Sequence, residues 1–207
     1  MSGCCETQNF NGISPAYKRA LLAVIGLNGV MFIIEMLAGF SSGSQALKAD
    51  ALDFGADTAT YIISLAVIGS SLAVRARASL FKGVSLAVIA AIIVGTTALR
   101  FIDGVPPDAQ TIGIIGMLAL TANALSVVIL LRWRNGDSNV RSVWLCSRND
   151  AIGNVAVMLA GGLVWLSGTA WPDLVVALLL AGLFLKSSAS IIAQARTELA
   201  AHSVRAA

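Results

Sequence analysis

Apolar residues run along this chain in six blocks of membrane-spanning length, separated by short polar or glycine- and proline-containing breaks. The blocks fall at 20–40, 45–71, 83–101, 111–131, 140–166 and 173–192. A helix of about 17–25 apolar residues crosses a ~30 Å hydrocarbon core, so each block predicts one span. Ser41-Ser42-Gly43-Ser44 turns the first block into the second, Asp103-Gly104-Val105-Pro106-Pro107-Asp108 the third into the fourth, and Ser167-Gly168-Thr169-Ala170-Trp171-Pro172 the fifth into the sixth. Charge marks the other two breaks, with Arg75, Arg77 and Lys82 around a short polar connection and Arg132-Trp133-Arg134-Asn135-Gly136-Asp137 before the fifth block. The expected fold class is an all-α membrane protein of six transmembrane helices.

Six spans put both termini on one side. Lys18, Arg19, Arg75, Arg77, Lys82, Arg132, Arg134, Arg141, Arg196 and Arg205 collect on that side, whereas the opposite ends carry Lys48 and Arg100. The positive-inside rule then makes both termini cytoplasmic. Three segments follow: a flexible tail at 1–17, the six-helix unit at 18–192 and a short helical or frayed tail at 193–207. The first segment lacks the basic start of a signal peptide, and the apolar run behind it is longer than the ~7–15 residues of a secretory core.

Composition supports the class: 57% of residues are hydrophobic, 12% are charged, and mean hydropathy is +0.83. A net charge of +3, scattered over the chain, does not make a nucleic-acid surface. Three cysteines, two of them adjacent at Cys4 and Cys5, are no disulfide framework. Cys4 and Cys5 read as part of an idle tail rather than a metal collector, and the single histidine, His202, has no evident partner. No nucleophile–base pair and no phosphate loop is visible, which leaves an enzyme as the poorest reading.

Against this background the second block is anomalous, because Asp50, Asp53 and Asp57 interrupt it. Each charge in hydrocarbon costs at least about 2.5–3.5 kcal/mol, so intramembrane carboxylates mark function by default. At about 100° per residue the three fall on one helical stripe. In the fifth block Cys146 and Asp150 repeat the four-residue spacing of Asp53 and Asp57. Two such faces opposed would offer four anionic ligands, a set that suits tetrahedral Zn²⁺ better than octahedral Mg²⁺. Antiparallel packing would set Asp57 near Cys146 and Asp53 near Asp150, close to the bilayer midplane where transporters keep their substrate.

Asp50 lies one turn nearer the outside and reads as an auxiliary ligand, a vestibule residue or a partner for Lys48. Glu35 in the first block reads as an interhelical hydrogen-bonding group or part of a proton route, and is kept as a second auxiliary candidate. Asn28, Asn123, Asn149 and Asn154 read as interhelical glue, and Gly83, Gly95, Gly161 and Gly162 as points of close helix packing. Arg148, two residues from Asp150, points away from the ligand face.

With these residues in place the chain resembles the cation diffusion facilitators, proton-coupled exporters of zinc, cadmium, cobalt and iron. Their second and fifth helices each carry a [His/Asp]-x-x-x-Asp pair, matched here by Asp53-x-x-x-Asp57 and Cys146-x-x-x-Asp150. Gly43-Ser44-Gln45-Ala46-Leu47-Lys48-Ala49-Asp50-Ala51-Leu52 is similar to the family's entrance to helix 2, and Asn149-Asp150-Ala151-Ile152-Gly153-Asn154 to the start of its helix 5 motif. The resemblance runs from about Lys18 to Ile192.

The resemblance implies a multi-pass protein of the bacterial inner membrane with divalent metal (Zn, Cd, Co or Fe), protons and the lipid bilayer as its partners, no nucleic acid and no further cofactor. Two departures stand out. Cys146 occupies a position usually held by His, and a thiolate shifts preference toward softer ions. The chain also ends without the family's cytoplasmic metal-binding domain, so a truncated form is expected, with a homodimer through the transmembrane helices as the remaining route to assembly.

Carboxylates one turn apart repel when both are ionised, so the empty site is expected to hold protons that metal displaces. An inward proton gradient would then drive metal out. Two rivals remain: an organic-cation exporter, which predicts an aromatic-lined pocket, and a membrane-embedded metal sensor or accessory subunit, which predicts a soluble output module.

Overall fold

A computed structural model describes residues 14–66, 72–134 and 138–206. The expected tail around Cys4 and Cys5, the Asn135-Gly136-Asp137 turn, and the side chains of Arg75, Arg141, Cys146, Asn149 and His202 lie outside the described residues. Six α-helices follow in order: α1 Pro15–Ser42, α2 Gln45–Ala66, α3 Leu72–Asp103, α4 Ala109–Leu130, α5 Ser138–Ser167 and α6 Trp171–Ala206, with a short 3-10 turn at Leu131–Trp133.

The helix starts follow local chemistry. Ser14 caps α1 by accepting the Tyr17 amide at 3.1 Å, ahead of Pro15, whose missing N–H is no loss in a first turn. Asp108 caps α4 from the amide of Gln110, and the Thr111 hydroxyl donated to Asp108 holds its carboxyl below the usual carboxylate range. Gly43 ends α1 at φ +76°, a left-handed setting that costs glycine little.

One boundary differs from the sequence expectation. The polar connection around Arg75, Arg77 and Lys82 is helical, and α3 starts at Leu72. No Gly or Pro interrupts residues 72–82, and Ala, Leu, Arg and Lys are strong helix formers, so the charged turns prolong the helix. α6 continues without a break into the segment expected as a short helical or frayed tail at 193–207, helical as far as Ala206. Its 36 residues reach roughly 54 Å at about 1.5 Å each, well beyond a ~30 Å core.

By length and composition, five of the described helices or helix segments can cross a membrane; α2 is not among them. Its charges, Lys48, Asp50, Asp53 and Asp57, explain the shortfall, and packing explains its tolerance. The bundle pairs α3 with α6, α4 with α5 and α1 with α2, while α2 touches all five other helices. Leu22, Leu37, Phe101, Ile114, Leu163 and Leu179 instead point outward, as expected of lipid-facing positions.

Alanine is the most frequent residue of the buried apolar core. Ala46, Leu47, Ala49, Ile93, Ile112 and Val157 pack toward the start of α2, and Tyr17, Leu21, Val24, Tyr61 and Leu130 toward its end. Of the glycines expected to allow close packing, Gly83 lies against Ile191 and Ile192, and Gly161 against Ile112 and Gly113. Gly95 and Gly162 have nothing within 4 Å and face outward.

Candidate metal-transport site

The sequence placed Asp53 opposite Asp150. In the structure the carboxyl of Asp150 on α5 comes close enough to interact with both Asp53 and Asp57 on α2. Carboxyl groups held this close share a proton or hold a cation between them. Asp57 is buried and Asp53 and Asp150 are half-buried. They line a cavity of about 510 Å³ bounded by α2, α3, α5 and α6, with Asp50 at one end and Ser190 and Ile191 at the other. Since α6 runs toward the C-terminus, that second end lies on the side of the termini.

Cys146 stands one turn before Asp150 on α5, the helical position that the spacing requires. Among the described residues no three His, Cys, Asp or Glu side chains converge in a geometry that holds a metal ion. Asp53, Asp57 and Asp150 line one cavity together without closing on a common point.

Asp50 and Glu35 form a second carboxylate contact next to the first. Glu35 on α1 is fully buried, Asp50 is 3% exposed, and the two interact directly. Neither Glu35 oxygen finds a donor of good hydrogen-bond geometry, nor does Asp50 Oδ2. Only Asp50 of the two reaches the cavity lining, so Glu35 sits behind it.

Sequence reasoning missed three neighbours. Tyr61, one turn beyond Asp57, is 1% exposed and donates its hydroxyl to Asp57 Oδ2 at 2.5 Å, fixing that carboxylate. Its signal was the i, i+4 spacing, which places Tyr61 on the ligand stripe. Lys82, read from sequence as a topology signal, lines the cavity, and its charge acts on both Asp53 and Asp57. The helical extension of α3 carries it there. Lys186 lines the same cavity from α6.

Arg148 is exposed and lays its guanidinium over the Trp144 ring at 5.5 Å, a stacking contact one turn back on α5. Asn28 is satisfied within α1, donating to the Val24 carbonyl at 2.9 Å, rather than between helices. Asn154 is fully buried with neither side-chain atom hydrogen-bonded, and Asn123 is buried on α4.

Six packed helices around an intramembrane carboxylate cluster define a multi-pass transport domain. The family profile for the cation efflux transmembrane domain matches residues 21–200, and the chain belongs to that family of membrane transporters. It is 29% identical over 201 residues to a cadmium, cobalt and zinc/H(+)-K(+) antiporter of Bacillus velezensis, covering 86% of this chain and 62% of that protein. The zinc transporter ZitB of Escherichia coli is 27% identical over 194 residues, covering 87% and 62%. The metal cation efflux system protein CzcD of Cupriavidus metallidurans is 27% identical over 177 residues, covering 79% and 55%. The chain thus spans about three fifths of the length of these relatives.

Proposed function

We propose that this protein exports a divalent transition-metal cation from the cytoplasm in exchange for protons, with Asp53, Asp57, Cys146 and Asp150 as ligands. The observation that carries the reading is the contact of the Asp150 carboxyl with both Asp53 and Asp57 on the wall of a cavity inside a membrane bundle. Three carboxylates without a cation repel one another, and binding either protons or a metal relieves them. A metal that enters displaces protons, because its ligands must be deprotonated. Protons that return as metal leaves reset the site, so each ligand state excludes the other. Lys82 offsets part of the negative charge of the empty cluster and is displaced electrostatically when a divalent ion arrives.

Zinc, cadmium and cobalt are the favoured cargo, on the metals for which the relatives are named and on the donor set of three carboxylates and one thiolate. The Lys and Arg distribution supports a cytoplasmic side for the termini and for the cavity end at Ser190. An organic-cation exporter is disfavoured, because Phe184 is the one aromatic among the described lining residues of the cavity. Asp50, at the end of the cavity, and Glu35, buried behind it, are assigned an auxiliary part in passing cations or protons to the far side.

The test is uptake of Zn²⁺, Cd²⁺, Co²⁺ and Fe²⁺ by the purified chain in vesicles under an imposed proton gradient. Gradient-dependent uptake of at least one metal is expected, and none in correctly inserted protein overturns the reading. Cys146→Ser is expected to lower the preference for Cd²⁺ over Co²⁺ at least about fivefold, the soft ion losing more from a thiolate's removal. An unchanged preference removes Cys146 from the ligand set. Tyr61→Phe keeps the ring packing and deletes one charge-assisted hydrogen bond. It is expected to raise the apparent KM for metal about tenfold, which uptake curves at fixed gradient measure directly.

A further inference from the structure

The helices that carry the cluster and wall the cavity meet at their far ends through one carboxylate that the transport reading does not use. Asp173, in the first turn of α6, is 1% exposed and reaches across to the start of α2. It accepts the Ser44 hydroxyl at 2.5 Å, the Gln45 amide at 2.7 Å and the Ala46 amide at 3.2 Å. Ser44 is itself the cap of α2, its hydroxyl oxygen accepting the Leu47 amide at 3.0 Å. The first-turn amides of α2, which no intrahelical carbonyl can satisfy, are therefore taken up by α6 and by Ser44.

Electrostatics give the reason for an aspartate here. Both α2 and α6 begin at this end of the bundle, so two partial positive helix ends lie side by side and oppose each other. One carboxylate between them is attracted by both. The neighbourhood is tied down further by Arg100 of α3, whose Nε and Nη2 donate to the Gly43 carbonyl at 3.3 and 3.2 Å. The Asp108 amide also donates to the Ser42 carbonyl at 3.0 Å. At the other end of the same helices the cavity is lined by Lys82, Lys186 and Ser190. α2 and α6 are fastened at the end where both begin.

We propose that Asp173 is a positioning residue for transport: by capping α2 from α6 it sets the axial position and rotation of α2, and with them the alignment of Asp53 and Asp57 with Asp150. The proposal rests on the transport site described above, but it is a statement about alignment and is testable without transport. Asp53 lies about two helical turns from the clasp, at about 5.4 Å per turn, so a shift of α2 by a fraction of a turn parts its carboxylates from Asp150.

Two measurements test it. In vesicles, Asp173→Ala is expected to raise the apparent KM for Zn²⁺ at least about tenfold while the maximal rate per folded transporter stays within about twofold. Asp173→Asn keeps an acceptor oxygen without the charge and should restore part of that loss. Ser44→Ala, which leaves the carboxylate and the backbone amides in place, should give a rise of about threefold. A residue needed for folding alone would lower the amount of active protein and leave KM unchanged, which overturns the proposal.

The second measurement uses the full chain with Cys4, Cys5 and Cys146 changed to Ser, and with Asp53→Cys and Asp150→Cys joined by a short thiol-reactive linker. Efficient cross-linking with Asp173 present, and at least about threefold less with Asp173→Ala, is expected. Equal yields in the two backgrounds, or no cross-link in either, overturn the proposal. A native chain that moves no metal while its cross-link depends on Asp173 would defeat the transport reading and leave the positioning role standing.

Discussion

Asp57→Asn is expected to reduce proton-driven metal uptake at least about a hundredfold, to the level of empty vesicles, while the protein remains folded. The variant keeps the volume of the side chain and an oxygen that still accepts the Tyr61 hydroxyl. It removes one of the negative charges of the proposed ligand set, and loss of a direct ligand costs more than the 10–100-fold typical of an outer-shell partner. Because a buried carboxylate among carboxylates is a burden on the fold, thermal stability in detergent should be unchanged or slightly higher. Uptake assays and melting curves on the same preparation separate the two effects. Unimpaired uptake in Asp57→Asn would remove Asp57 from the ligand set.

The largest effect on stability is expected at Gly161. A Cβ placed there would lie 3.0 Å from the Gly113 backbone nitrogen and 3.0 Å from Ile112 Cγ2, so α4 and α5 touch through this glycine. Backbone cannot yield as a side chain can. Gly161→Leu is expected to destabilise by about 3 kcal/mol or more, roughly 10 °C in melting temperature for a chain of this size. The neighbouring Gly162→Leu is the internal control, since nothing lies within 4 Å of its Cβ and a leucine there faces outward. Equal melting temperatures for the two variants would show that α4 and α5 do not meet at Gly161.

The two glycines also show where sequence reasoning stops. Both were read as packing positions, yet one is at a helix seam and the other faces outward. The same holds for Asn28, expected to bridge helices but bonded within its own. A one-dimensional pattern gives the stripe on which a residue lies, and neighbouring stripes can have different partners. Lys82 makes the point in reverse. It was read as a charge at a helix border, and the helical continuation of α3 turns it into the cavity.

What the sequence determined by itself is local or periodic. Hydrophobic runs of bilayer length gave six helices, glycine and proline gave their turns, and the four-residue spacings of Asp53 with Asp57 and Cys146 with Asp150 gave two ligand faces. Those inferences need only the helical repeat and the cost of charge in hydrocarbon. The tertiary structure alone decided which faces meet: Asp150 against both Asp53 and Asp57, Tyr61 on Asp57, Glu35 against Asp50, and Asp173 on the start of a helix 128 residues before it in the chain. Contacts of that kind depend on the relative depth and rotation of whole helices. These are set by the sum of many small packing and capping interactions, which no spacing along one helix records.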